Sequence, residues 1–397
     1  MSEKIDLQPA NRMLELPPYV FGKLNAVKTA RRRAGEDVID LGMGNPNDPT
    51  PQEIVDKLCD AVQDPRNHRY SVSADGIFNL KREVARHYER EWGVEVDPEN
   101  EVVCTIGSKE GISHLALVMV DWGDVALVPT PAFPIHIHSV ALAGGEVASV
   151  PLSTGPELFE NLESKLAELD KKPKLLILNF PHNPTTATVE PWFFEKVVEF
   201  AREHDIFVIH DFAYSHLTFD DYRAPSFLQT EGAKDVGVEF TTMSKSFNMA
   251  GWRVGFCVGH SEAVQALARL KGYYDYGVFM PVQIASIIAL RNCLEDTEKQ
   301  CAVYEARRNC LCRGLKRIGW PVEPPKGTMF VWAKIPERYR DMESLDFSMK
   351  LLEEANVAVA PGGAFGPGGD DFVRMALVEN ELRLKQAVRQ IGRGLEL

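Results

Sequence analysis

The sequence predicts an α/β protein with a mostly parallel central sheet and a second, smaller α+β domain. Between about residues 100 and 260, short apolar segments alternate with amphipathic helical stretches, which is typical of strands covered by helices. After about residue 290 this alternation gives way to a long charged helix, a few strand-like segments and a final helix from Glu379. With 397 residues, the chain is long enough for two or three domains.

Composition narrows the class of protein and of partner. Apolar residues make up 45% of the chain and charged residues 25%, as in ordinary globular proteins. The 57 acidic and 44 basic side chains give a net charge of −13, which argues against binding to nucleic acid or to an anionic membrane surface. The seven cysteines are scattered without a C-x-x-C pair, and no apolar stretch reaches the ~18 residues of a membrane span. Because residues 1–4 begin no apolar leader, we expect a cytoplasmic protein.

The predicted elements fall into three parts along the chain. Residues 1–45 contain Arg and Pro residues with little periodicity, so we expect an N-terminal arm that also contributes to the small domain. Residues 46–290 form the predicted large domain, which opens with a helix that Thr50 caps and Glu53 completes as a capping box. Residues 291–397 form the predicted small domain, in which the glycine-rich segment 361–369 is predicted to be a mobile loop. The apolar runs that predict strands are 101–105, 125–128, 145–150, 174–178, 206–210, 240–243 and 253–258.

Polar side chains follow two of the predicted strands. Asp211 comes directly after the strand at 206–210, and Tyr214 follows three residues later. Asn183 lies in the turn after the strand at 174–178. Because open parallel sheets bind ligands at the carboxyl ends of their strands, these three residues predict one polar site. The alternative for Asp211 is a helix cap or an acidic residue of a surface turn.

Lys245 follows the strand at 240–243, inside the segment 242–246 (TMSKS). A lysine at a strand end among small and apolar residues is an unusual place for a solvated charge. Partial burial and the neighbouring Arg253 would lower its pKa and make its amine a nucleophile. The alternative is an ordinary surface lysine.

Two segments are candidates for binding a phosphate group. The segment 107–111 (GSKEG) joins a predicted strand to a predicted helix, so Ser108 and nearby backbone N–H groups would lie at a helix N-terminus. Arg253 offers the planar guanidinium that matches phosphate oxygens. The alternatives are that Ser108 is only a helix cap and that Arg253 is only a surface ion-pair partner.

His136 and His138 were considered as metal ligands. The sequence spacing places no third ligand near them, and two histidines on one face of a strand are more often structural. We therefore predict no metal site.

The order and spacing of these residues resemble a known family. Asn183-Pro184, Asp211-x-x-Tyr214, Ser244-Lys245 and Arg253 are similar to the signature of fold-type I pyridoxal-phosphate enzymes, specifically class I aminotransferases. The resemblance covers essentially the whole chain, from residues 44–46 (GNP) to Phe372-Val373-Arg374. Through the segments 16–20 (LPPYV) and 107–111, the chain is most similar to bacterial glutamate-pyruvate (alanine) aminotransferases.

The resemblance implies a cofactor, pyridoxal 5′-phosphate, and a role for each matching residue in the large domain. Lys245 would bind the cofactor covalently and then move the proton of the reaction, and Asp211 would pair with the ring nitrogen. Tyr214 and Asn183 would bind the ring oxygen. Phe133 would stack on the ring. The residues implied around the phosphate are Ser108, Lys109, Ser244 and Arg253, with Ser108 and Lys109 in the turn before the helix.

The resemblance also implies the substrate contacts and the partners. Arg374 would bind the substrate carboxylate together with Asn183, and Gly44 would leave room for the substrate backbone. The substrates would be an amino acid and a 2-oxo acid. The family also implies a homodimer in which Tyr70 reaches the phosphate of the partner.

Three alternatives to alanine transamination remain open on the sequence. The donor could instead be aspartate or LL-diaminopimelate, or the enzyme could be a C–S β-lyase on the same fold. A non-enzymatic ligand sensor would require an added basic DNA-binding domain, for which the net charge leaves no candidate segment. A site that accepts both alanine and glutamate should bind the distal carboxylate through a mobile or solvated group, because a buried cation without its partner is costly. Gly362, Gly363 and the arm near Tyr19 are the predicted movers.

Overall fold

The structure is a computed structural model that describes residues 6–14, 16 and 21–396. Tyr19 and the rest of the segment 17–20, which the sequence nominated as part of a moving arm, lie outside the described residues. The strands are β1 Ile39–Asp40, β2 Val102–Thr105, β3 Val125–Thr130, β4 Glu146–Pro151, β5 Leu175–Asn179, β6 Phe207–Asp211, β7 Gly237–Thr242, β8 Gly255–Gly259, β9 Phe330–Lys334, β10 Val357–Ala358, β11 Ala360–Pro361 and β12 Phe372–Ala376.

The described α-helices cover both faces of the main sheet and surround the smaller sheets. They are α1 Asn11–Leu14, α2 Phe21–Arg33, α3 Gln52–Gln63, α4 Phe78–Trp92, α5 Ser108–Met119, α6 Pro134–Ala143, α7 Glu157–Glu168, α8 Pro191–His204, α9 Ala233–Val236, α10 Met243–Ser246, α11 Ser261–Tyr274, α12 Met280–Asn292, α13 Leu294–Arg317, α14 Ser344–Ala355 and α15 Glu381–Gly394. Short 3₁₀ helices occupy Pro65–His68, Phe227–Gln229, Ala250–Trp252, Glu337–Tyr339 and Gly362–Phe365. In the part of the chain that is described, no helix combines the length and the apolar character needed to cross a bilayer.

The main sheet has seven strands in the order β2-β8-β7-β6-β5-β3-β4. Only β8 runs antiparallel to its neighbours, so the prediction of a mostly parallel sheet is confirmed. Strands β3 and β5 are buried along their whole length because helices cover both faces, which explains their continuous apolar runs. In the sheet register Asn179 pairs with Asp211, and Asp211 pairs with Phe240. The carboxyl ends of β5, β6 and β7 therefore lie side by side.

A three-stranded antiparallel sheet, β11-β12-β9, carries Arg374 opposite Ala360 and Trp332. The segment after α2 pairs with the C-terminal part of the chain through β1 and β10. Leu24 of α2 is buried against Leu352 and Ala358. The division of the chain at residues 45 and 290 stays a prediction.

The predicted cap of the first large-domain helix is wrong. Helix α3 begins at Gln52 after Pro51, and no side chain caps its N-terminus. The Thr50 hydroxyl instead donates to the backbone oxygen of Asn248, at 2.8 Å. A tertiary hydrogen bond to the segment after Lys245 has replaced the local one.

Candidate active site

The ends of β5, β6 and β7 open into a cavity of about 710 Å³ between the main sheet and the three-stranded sheet. Eleven of the predicted site residues line this cavity, and Tyr70 does not. They are Gly44, Ser108, Lys109, Phe133, Asn183, Asp211, Tyr214, Ser244, Lys245, Arg253 and Arg374. The structure thus brings together residues that are up to 330 positions apart, as counted from Gly44 to Arg374.

Lys245 lies on α10, a single turn of helix that follows β7. The Thr242 side chain caps this turn by accepting from the Ser244 N–H at 3.2 Å. The Lys245 amine donates to the backbone oxygen of Gly44 at 2.8 Å. Burial lowers the pKa of this amine to about 8, and the positive charges of Arg374 and Arg253 act in the same direction. About a tenth of the amine is therefore unprotonated and nucleophilic at pH 7, far more than for an ordinary lysine.

Asp211 is the last residue of β6 and is buried. Its Oδ2 accepts from His136 Nε2 at 2.9 Å, and its Oδ1 accepts from the Ala213 N–H at 3.2 Å. His136 is itself 1% exposed. The imidazole and the turn amide together fix the orientation of the carboxylate at the cavity wall.

The prediction that His136 and His138 lie on a strand is wrong. Both lie on helix α6, not on a strand, because Pro134 at the first position starts a helix there. His136 belongs to the site through Asp211, and the sequence analysis missed it. Proline at the start of the segment 134–143 was the available signal.

Asn179, the last residue of β5, is a second residue that sequence reasoning missed. Its Nδ2 donates to the backbone oxygen of Asp211 at 2.6 Å, and its Oδ1 accepts from the Asn183 N–H at 2.9 Å. Asn179 is buried and lines the cavity. This one amide therefore sets the spacing between Asp211 and Asn183.

Arg374 reaches the cavity from β12. Its Nη1 donates to Asn183 Oδ1 at 2.7 Å, so the two sheets meet across the cavity through this pair. The guanidinium carbon lies 4.0 Å from the ring centroid of Phe330 and 4.7 Å from that of Phe365. Such distances are typical of cation–π contacts. Neither phenylalanine was predicted, since an apolar residue carries no sequence signal for this role.

Gly44 and Tyr214 both lie against the Phe330 ring. A Cβ atom at Gly44 would lie 2.5 Å from the Phe330 ring, so only glycine fits at this position. The Tyr214 ring contacts Phe330 at its edge, with the centroids 5.8 Å apart. Burial raises the pKa of the Tyr214 phenol, which stays protonated at neutral pH and can donate a hydrogen bond into the cavity.

The candidate phosphate-binding turn is built on Gly107, whose φ is +79°. A Cβ atom here would lie 2.4 Å from Nη2 of Arg253, and that nitrogen donates to the Ile106 backbone oxygen at 3.1 Å. Helix α5 begins at Ser108, so Ser108 and Lys109 are the first helical residues and do not precede the helix as expected. The exposed Lys109 lies with its amine 5.8 Å from the centroid of Phe133.

Tyr70 is the predicted site residue that does not line the cavity. The Tyr70 side chain is 83% exposed and packs against Tyr276 on the surface, outside the cavity of its own chain.

In the glycine-rich segment 361–369, Gly362 is buried, and a Cβ atom there would lie 2.0 Å from the backbone oxygen of Gly369. The predicted mobile loop contains a 3₁₀ helix at Gly362–Phe365, and Gly363, Pro367 and Gly368 in it are exposed, so its mobility stays a prediction.

Comparison with known proteins identifies the family to which this chain belongs. Residues 36–391 match the sequence profile of the family described as Aminotransferase class I and II. The chain belongs to this family of aminotransferases. Its predicted enzyme class and its predicted fold, fold-type I, are therefore confirmed.

Relatives and solved structures share nearly the whole length of this aminotransferase. It is 51% identical to the glutamate-pyruvate aminotransferase AlaC of Escherichia coli, over 97% of this chain and 94% of that protein. It is 42% identical to the LL-diaminopimelate aminotransferase of Moorella thermoacetica, over 98% of this chain and 99% of that protein. Substrate-bound BacF from Bacillus subtilis superposes with a TM-score of 0.89 at 35% identity, covering 98% of each chain.

Proposed function

We propose that this aminotransferase uses pyridoxal 5′-phosphate to transfer an amino group between alanine and 2-oxoglutarate by a ping-pong mechanism. The observation that carries the proposal is the convergence of a nucleophilic lysine, a buried carboxylate and a buried guanidinium on one cavity. The 51% identity to a glutamate-pyruvate aminotransferase supports alanine as donor.

The residues around the cavity fit this cofactor. Gly107 leaves space for the Arg253 guanidinium beside the N-terminus of α5, where hydrogen-bond donors favour a phosphate. Ser108, Lys109 and Ser244 line the same cavity and complete the proposed phosphate contacts. When bound, pyridoxal phosphate supplies an aldehyde that combines with amines and a ring that accepts electrons from the substrate.

Lys245 would attach to the cofactor through its amine and later hold and release the proton that moves in the reaction. The lowered pKa, about 8, suits both tasks, since the group can give up and take back a proton near neutral pH. The Gly44 carbonyl accepts a hydrogen bond from this amine and would keep it near the reacting atoms when it is free.

Asp211 would hold a proton on the ring nitrogen of the cofactor, with its own orientation fixed by His136. The Tyr214 phenol and the Asn183 amide would bind the ring oxygen, and Phe133 would cover one face of the ring. These contacts would hold the ring in one orientation relative to Lys245.

Arg374 would bind the α-carboxylate that all amino acid substrates share. Among the described residues, two guanidinium groups line the cavity, and that of Arg374 is the buried one. Lys109 and Arg253 are exposed and are assigned to the phosphate, so none of the described cations in the cavity is a buried charge reserved for a distal carboxylate such as that of glutamate. A site of this kind can release that carboxylate and accept alanine without leaving a buried charge unpaired.

Steady-state kinetics with four amino donors test the proposed substrate. With 2-oxoglutarate as acceptor we expect kcat/KM for alanine to exceed that for aspartate and for LL-diaminopimelate, and glutamate should be the efficient donor to pyruvate. Aspartate should be a poor donor, because its side chain is shorter than that of glutamate and would not bring the distal carboxylate to a mobile or solvated cation. A higher kcat/KM for LL-diaminopimelate than for alanine would establish the alternative that the 42% identical relative represents. Release of pyruvate and ammonia from cystathionine without a 2-oxo acid would instead indicate a β-lyase.

We also propose that the enzyme is a homodimer. Exposed aromatic side chains are concentrated in the segments 70–79 and 273–279, and Tyr70 packs against Tyr276 while His68 packs against Phe279. Exposed apolar surface of this kind favours burial against another copy of the chain. Tyr70 would then reach the phosphate of the partner's site. A cytoplasmic location also stays a proposal.

Mixing two inactive variants tests this role of Tyr70. Tyr70→Ala and Lys245→Ala homodimers should both be strongly impaired. Random exchange of subunits at equal concentrations should restore about one quarter of wild-type activity, because half of the dimers are mixed and each has one intact site. Mixed dimers that form, as shown by native mass spectrometry, yet stay inactive would show that Tyr70 does not act across the interface.

A further inference from the structure

Lys271 is a fully buried lysine that takes no part in lining the cavity. It lies on α11, and its ammonium group is placed between two carboxylates. The distance from Nζ is 3.1 Å to Glu110 Oε1 and 2.9 Å to Asp275 Oδ2. A buried ammonium without such partners would be strongly unfavourable, so the three charges form one unit.

The same carboxylates, with His114, form a group whose ligand atoms lie within 4.8 Å of one another and could hold a metal ion. The Lys271 ammonium already lies within hydrogen-bond distance of both carboxylates. The lysine therefore supplies the positive charge that balances the two carboxylates. The contacts that the carboxylates make with the neighbouring backbone show what this cluster does.

Glu110 connects Lys271 to the candidate phosphate-binding turn. Its second oxygen, Oε2, accepts from the Ile106 N–H at 2.5 Å. The Ile106 carbonyl accepts from Arg253 Nη2 at 3.1 Å. Ile106 is thus held through both of its backbone groups, immediately before Gly107 and Ser108.

Asp275 fixes the ammonium from the other side. Both of its carboxylate oxygens accept from Lys271, and Oδ1 also accepts from the Gly277 N–H at 2.7 Å. The ammonium therefore has a defined position from which it orients Glu110.

We propose that Lys271 is a positioning residue for the phosphate-binding turn and acts through Glu110 and Ile106. Without the ammonium, the carboxylates of Glu110 and Asp275 would repel each other, and Glu110 would move away from the Ile106 N–H. The turn before Ser108 would then lose the orientation that presents its N–H groups to a phosphate. This inference rests on the proposed function, in which that phosphate belongs to pyridoxal 5′-phosphate.

Binding of two forms of the cofactor to the full-length apoprotein tests the proposal. Dissociation constants are measured for pyridoxal 5′-phosphate and for pyridoxal, which lacks the phosphate. For Lys271→Met we expect the affinity for the phosphorylated form to fall by about tenfold or more, with the affinity for pyridoxal nearly unchanged. Lys28→Met is the matched control, because Lys28 is another buried lysine. It pairs with Asp40 at a distance of 2.6 Å and does not contact the turn. This variant should leave the ratio of the two affinities as in the wild type.

Glu110→Gln keeps the proposal testable if Lys271→Met does not fold. Its single amide oxygen can accept from Ile106 or from Lys271 but not from both in the present geometry, so the preference for the phosphorylated form should again fall. A folded Lys271→Met or Glu110→Gln protein with the wild-type ratio would show that the cluster serves only stability. If the wild type itself binds pyridoxal as tightly as the phosphorylated form, the proposed cofactor is wrong, and the role of Lys271 is rejected with it.

Discussion

Lys245→Ala is expected to lower kcat by at least about 10⁴-fold, because it removes both the nucleophile and the group that moves the proton. The purified wild-type protein should be yellow, and borohydride reduction should fix the cofactor on the peptide that contains Lys245. The alanine variant should release all of its cofactor on denaturation after the same treatment. In the control Lys109→Ala, peptide mapping should still find the label on Lys245, and a label on another lysine would reject the assignment.

The pKa of Lys245 gives this prediction a pH dependence. The unprotonated fraction of an amine with a pKa of about 8 increases as the pH rises through that value. Covalent capture of the cofactor by the apoprotein should therefore become faster with pH and level off above about pH 9. An ordinary exposed lysine would continue to accelerate up to about pH 10.4.

Asp211→Asn is expected to lower the rate of the half-reaction with alanine by about 10³-fold while the fold is retained. The amide oxygen of asparagine can still accept from the Ala213 N–H, so the structural role of a turn acid survives. The negative charge that would keep the ring nitrogen protonated does not. Stopped-flow absorbance of the bound cofactor measures the rate, and thermal unfolding measures the fold.

The matched control is Asp205→Asn, at an exposed turn acid that pairs with Lys172. We expect no change in its half-reaction. A turnover of Asp211→Asn close to that of the wild type, with cofactor bound, would show that Asp211 only shapes the turn.

Much of the site was predictable from the sequence for one physical reason. Strands that run parallel end at the same edge of a sheet, so Asn183, Asp211 and Tyr214 were expected to meet, and they line one cavity. The resemblance to class I aminotransferases added residues that strand ends do not indicate, such as Phe133 and Arg374. Their roles in the reaction remain predictions.

The residues that the sequence did not reveal depend on tertiary contacts. His136 reaches Asp211 only because α6 packs against β3 and β4 of the sheet that contains β6, and Phe365 reaches Arg374 only because the segment after β11 folds back on β12. Thr50 illustrates the same point from the other direction. Threonine is a residue type that commonly caps helices, but here its hydroxyl binds Asn248 instead of the helix N-terminus. Local pattern rules cannot anticipate contacts between residues that are far apart in the chain.

The position of the Arg374 guanidinium, within cation–π distance of the rings of Phe330 and Phe365, has a consequence for binding. An arginine on an open surface loses much of its rotational freedom when it grips a ligand. Here the two rings and the Asn183 oxygen restrict that freedom during folding, before any substrate arrives. The contacts to both rings and to Asn183 hold the group in one place, and its planar N–H donors match the two oxygens of a carboxylate. Binding therefore loses less conformational entropy, and the position of the substrate carboxylate is set in advance by the folded protein.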